Sequence, residues 1–123
     1  MFFGSDSAPH PQSAKECAHC ASGVFSSPIA LQIVTEWFMS ERTRAWWQQE
    51  RGQILTNDDV ISRLQCFFSN NGELLYGRSL IEKSIILEKA PFTIPESYPT
   101  TIPDLSIVPM WAGREIGWKI VEG

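Results

Sequence analysis

Residues 56–72, TNDDVISRLQCFFSNNG, decide how the rest of the chain is read. Thr56 or Asn57 can cap a helix, and Asp58 and Asp59 fall in its first turn, where the helix dipole favours anions. Asn71-Gly72 supplies a stop signal. Between them Val60, Ile61, Leu64, Phe67 and Phe68 form one apolar stripe about 120° wide, with Cys66 on the other side. The spacing predicts an amphipathic helix, and a one-sided helix needs a second layer to cover it.

Upstream, Ser27-Pro28 reads as a helix start, because proline suits the first helical position. Ala30, Leu31, Val34, Trp37 and Phe38 recur at helical spacing, and Ala45 continues that face. Trp46 and Trp47 do not. At about 100° per residue Trp47 points away from Val34, so the helix ends or bends near Ser40, or a second surface needs covering. Residues 1–27 are rich in glycine, serine and proline, so ordering them costs entropy with little burial in return. They are expected to form a flexible tail.

Downstream the texture turns to strands. Leu74 to Tyr76, and Leu80 to Leu87 beyond Gly77-Arg78, suggest two strands around a turn, although Leu80–Leu87 also carries helical spacing. Pro91, Pro95, Pro99 and Pro103 recur every fourth residue, which no helix or central strand tolerates, so this segment should run extended. Ile107–Trp111 and Ile116–Val121 flank Ala112-Gly113-Arg114 as a terminal hairpin. The fold class expected is α+β: two N-terminal helices packed on a small antiparallel sheet or hairpins, with an extended Pro-rich segment. Residues 28–123 form the single domain.

A hydrophobic fraction of 43% and a charged fraction of 20% over 123 residues suit one globular domain. The net charge of −4 and dispersed basic residues disfavour nucleic acid as the main partner. No apolar run approaches the ~20 residues of a membrane span, and the first residues lack a secretory pattern. Three cysteines, an odd number, fit reduced thiols. The expected setting is cytoplasmic, with no membrane partner.

Cys17-Ala-His-Cys20 has the spacing of a metal chelate, and His10, His19 or Cys66 could add ligands. No second pair follows at zinc-site spacing, and no βαβ context supports a redox role. Both histidines, His10 and His19, fall in the expected tail, where a general base is hard to hold in place. No phosphate loop or dinucleotide fingerprint occurs. The residues therefore favour a protein that is not an enzyme and needs no cofactor, with zinc on Cys17 and Cys20 as the alternative.

Five tryptophans are the main anomaly. Trp46 and Trp47 sit beside Arg42, Arg44 and Arg51, and Trp and Arg are enriched at binding hot spots. The leading expectation is a small acidic interaction module, an adaptor, inhibitor, immunity-type protein or small subunit, that meets another protein through these five residues. A metal- or thiol-dependent regulator is the second reading. A winged-helix DNA binder using Arg63, Arg78 and Lys83 is the third.

Overall fold

The computed structural model describes residues 1–77 and 84–122. Among them, helices combine with small antiparallel ladders, so the chain is α+β. After a short α1 (Gln12–Lys15), a 3-10 turn over Ser27–Ile29 leads into α2 (Ala30–Met39). Ser40 then takes extended backbone, with ψ 146°, and breaks the helix. Its hydroxyl donates to the Trp37 carbonyl at 2.7 Å and accepts the Thr43 N–H at 3.2 Å, which caps α3 (Glu41–Arg51). The off-stripe tryptophans thus belong to a separate helix.

α4 (Asn57–Gln65) starts at Thr56 with reciprocal bonds. The Thr56 hydroxyl accepts the Asp59 N–H at 3.2 Å, and the Asp59 carboxylate accepts the Thr56 N–H at 2.9 Å. The Thr56 hydroxyl also donates to the Asp59 carboxylate at 2.7 Å, and this bond foremost, with that of the Thr56 N–H, holds the Asp59 carboxyl below the usual carboxylate range, Arg63 contributing less. A depressed native value stabilises the fold above the unfolded carboxylate's range, and that gain is lost as pH falls through the native value. Thr56→Ala is expected to cost about 1 kcal/mol, measured by urea unfolding at neutral pH. The same variant should lose less stability than wild type on acidification below about pH 4.

The helix does not stop at Asn71-Gly72. It runs through a π turn (Cys66–Asn70) into α5 (Asn71–Tyr76) and ends at Gly77, whose φ of 60° takes the left-handed cap. Leu74 to Tyr76 are therefore helical, which corrects the strand expected there. Asn71 keeps helical backbone, and its side-chain amide donates to the Met1 carbonyl at 2.6 Å instead of ending the helix. The strand-or-helix ambiguity over residues 80–89 falls partly outside the described residues, and Ile86–Glu88 within it is strand β1.

The terminal hairpin is also corrected. β1 (Ile86–Glu88) pairs with β6 (Lys119–Glu122), β2 (Phe92–Thr93) with β5 (Glu115–Ile116), and β3 (Tyr98–Pro99) with β4 (Ser106–Ile107), all antiparallel. Trp111 and Gly113, at φ 59° and 71°, turn the chain back toward Ile94 and away from its next neighbour. Gly113 donates to the Ile94 carbonyl at 3.0 Å, and Ile94 donates to the Arg114 carbonyl at 2.9 Å. Ladder pairing therefore joins residues as far apart as Ile86 and Glu122, beyond the reach of local turn rules.

Two apolar clusters hold these elements. Ile29, Ile94 and Ile116 join the start of α2 to the β2–β5 ladder, with Ile33, Phe92 and Met110 packed against them. Leu55, Val60 and Leu64 receive Val34, Phe38, Met39, Trp47 and Phe68. Ile94 is fully enclosed, so Ile94→Ala should destabilise by about 2–5 kcal/mol in denaturant unfolding. No described helix is long and apolar enough to cross a membrane.

The first 27 residues are tied at several points. Phe3 donates to the Phe67 carbonyl at 2.8 Å and lays its ring edge-on to Phe68 at 5.2 Å. Pro11 bridges Ile107, and the Phe25 carbonyl accepts the Met110 N–H at 2.9 Å. These ties place residues 4–27 against the domain.

Candidate functional site

Gly4-Ser-Asp-Ser-Ala-Pro-His10 has small side chains throughout, except for one carboxylate and one imidazole. Small residues let a second backbone come close, and here one does. Ala8 donates to the Val24 carbonyl at 3.0 Å. The Ser7 hydroxyl accepts the Ser26 and Ser27 N–H groups at 3.1 and 3.0 Å. Gly23 takes φ 105°, and a Cβ there would stand 2.3 Å from the Ala8 Cβ. Residues 21–27 form a strap that the 6–8 segment cannot leave without breaking these contacts.

Within this brace Asp6 has φ 42°, a left-handed backbone that L-residues seldom adopt outside turns. Asp104 and Trp111 share the feature but sit in turns, Asp104 between β3 and β4 and Trp111 between β4 and β5. Asp6 closes no ladder. Strain held in place by surrounding bonds is a mark of functional loops. The Asp6 carboxylate is exposed and His10 half-buried, four residues apart at the two ends of the loop. A carboxylate and an imidazole are the two side chains best suited to moving protons near neutral pH.

The residues singled out from the sequence lie elsewhere. Trp46 is 51% exposed, whereas Trp47 packs on the Leu55–Val60–Leu64 cluster under the Arg63 guanidinium, 4.5 Å from the ring centroid. The two indoles meet edge to face at 5.5 Å and point in different directions. Arg44 donates to the Leu55 carbonyl at 2.9 Å and to Asn57 Oδ1 at 2.6 Å, so it staples α3 to the start of α4. Arg42 and Arg51 are exposed. The DNA reading loses Arg63 to its tryptophan stack, and its other two bases, Arg78 and Lys83, lie outside the described residues.

Cys17 and Cys20 are exposed thiols turned onto main-chain carbonyls of their own loop, Ala14 and Ala21. Among the described residues no three His, Cys, Asp or Glu side chains gather as metal ligands would. The pair does not fit a zinc site.

Asp6 was missed by sequence reasoning because a stretch rich in Gly, Ser and Pro reads as disorder. The available signal was a carboxylate and a histidine four apart in an otherwise featureless run of small residues. Gly23, whose close approach to Ala8 braces the loop between them, is seventeen residues downstream of Asp6.

No family model matches the chain. It is nevertheless similar, along nearly its whole length, to part of a set of enzymes. The dihydroorotase of Halorhodospira halophila is 33% identical over 120 residues, 98% of this chain and 29% of that protein. The dihydroorotase of Neisseria gonorrhoeae is 37% identical over 120 residues, with the same shares. Among solved structures, the Saccharomyces cerevisiae dihydroorotase in complex with 5-fluoroorotic acid superposes with a TM-score of 0.69 at 28% identity, over 97% of this chain and 29% of that one. The chain spans about three-tenths of the length of the curated relatives it matches. The expectation of a non-catalytic protein-binding adaptor is thereby overturned: what this sequence and backbone are similar to, from end to end, is a portion of an enzyme.

Proposed function

We propose that this chain forms part of a dihydroorotase-type catalytic site, with Asp6 as the proton-transferring carboxylate and His10 as a donor to the substrate's own carboxylate. The observation that carries the reading is similarity to dihydroorotases over 97–98% of the chain, in sequence and in backbone. Dihydroorotate is a cyclic amide bearing a carboxylate. Opening its ring adds water across a C–N bond, so a base must take a proton from water and return one to the departing nitrogen. An accessible carboxylate held in a fixed backbone conformation suits that task. The anionic substrate must settle beside this negative charge, and the His10 imidazole is the donor that the loop supplies to offset it.

Exposed apolar side chains support the same reading. Leu74, Ile54 and Tyr76 are 84%, 79% and 66% exposed, more than an isolated small domain ordinarily leaves in water. The relatives carry more than twice as much additional chain that could cover such surfaces. Zinc is compatible with an enzyme of this type, but among the described residues Cys17 and Cys20 gather no further ligands that would hold it. A cytoplasmic setting belongs to the same reading.

The test is turnover of dihydroorotate, followed through loss of its ring. Purified protein is assayed as it stands and grafted into the Neisseria gonorrhoeae enzyme in place of the matching segment. Turnover by either form is expected. A folded graft with no turnover would remove the reading.

A further inference from the structure

The strap that braces the Asp6 loop is itself fastened by a charge. Lys15, the last residue of α1, extends its ammonium to two main-chain carbonyls, Ala21 at 2.7 Å and Gly23 at 2.6 Å. The Ala21 N–H in turn donates to the Ala14 carbonyl at 2.9 Å, so α1 and the strap are joined by two separate links. At the other end, the bond from Met110 to the Phe25 carbonyl anchors the strap to the strands. Val24, whose carbonyl accepts the Ala8 N–H, lies between these anchors, and Ser26 and Ser27, which donate to the Ser7 hydroxyl, follow directly after the second.

We propose that Lys15 is a positioning residue for the Asp6–His10 site, a role that rests on the dihydroorotase-type reading. Its ammonium fixes the Ala21 and Gly23 peptide planes. Gly23 and Val24 then fix Ala8, and Ser26 and Ser27 fix Ser7. That chain of contacts keeps the neighbouring Asp6 in its left-handed conformation. Lys15 touches no reacting atom. An ammonium suits the place because it can donate three hydrogen bonds from one point, and charged donors make shorter, stronger bonds to carbonyls. Half-burial of the side chain limits competition from water.

Lys15→Met keeps the apolar stem and removes the donors, while Lys15→Arg keeps charge and offers a fork of donors. In Lys15→Met, kcat should fall about 10- to 100-fold, as a catalytic group displaced by about an ångström would lose, with KM changed less than about threefold. Lys15→Arg should recover at least about a third of the lost activity, on the same grounds. Hydrogen exchange of the Ala8 amide should accelerate about tenfold or more in Lys15→Met, with the Leu64 amide in α4 unchanged.

Unchanged Ala8 exchange would overturn the proposal. So would faster exchange with unaltered kcat, since Lys15 would then stiffen the strap without serving the site. Should wild type fail to turn over dihydroorotate, the catalytic reading falls by itself, and the Ala8 measurement still decides whether Lys15 holds the loop.

Discussion

Asp6→Asn is expected to lower kcat for dihydroorotate by about three orders of magnitude while leaving the fold intact. Asparagine has nearly the size of aspartate and enters the left-handed region about as readily, so the backbone at φ 42° is preserved. The Asp6 side chain is exposed, and the braces around it run through Ser7 and Ala8. Only the charge and its capacity to take a proton are removed. A loss confined to kcat, with KM and the thermal midpoint near wild type, is the signature of a group acting in the transition state. Retention of more than about a tenth of the activity would place the base on another residue.

Gly23→Ala should produce the largest combined loss of stability and activity. Two separate costs arise at this position. Alanine at φ 105° is strained whatever its neighbours, and its Cβ would lie 2.3 Å from the Ala8 Cβ, so one backbone must move. Strain of about 1–3 kcal/mol and overpacking of similar size put the expected destabilisation at about 2 kcal/mol or more. The shift would separate Ala8 from the Val24 carbonyl and release the loop that carries Asp6. Ala8→Gly in the same chain removes the opposing methyl but not the strained φ. The double variant should therefore recover part of the stability and more of the activity, measured by urea unfolding and by turnover. Equal losses in the single and double variants would mean that the close approach is irrelevant.

Local signals were legible where local chemistry sets the structure. The Thr56 cap, the acidic first turn and the Val60–Leu64 stripe define α4, and the change of face at Trp46 and Trp47 reflects the break at Ser40. The α+β class followed from those helices and from the β-branched, proline-spaced second half. Strand partners were illegible because ladders of two to four residues carry no periodicity. Phe92 finds Ile116 through the Ile94–Gly113 and Ile94–Arg114 bonds, not through any turn motif between them. The site was illegible for the same reason. Asp6 and His10 sit in a segment whose composition reads as disorder, and what orders it comes from residues 15–27, which look equally plain. Tryptophan content pointed instead to a helix surface, where Trp47 proves to pack on the core and Trp46 remains open.

The most direct measurement is calorimetric titration with 5-fluoroorotate, the ligand in the similar yeast enzyme structure. Saturable binding that weakens at least about tenfold in His10→Ala is expected, as loss of a charge-assisted hydrogen bond would produce. A folded wild-type protein that does not bind, or a His10→Ala variant that binds equally well, would contradict the assignment of this braced loop as the place where the substrate sits.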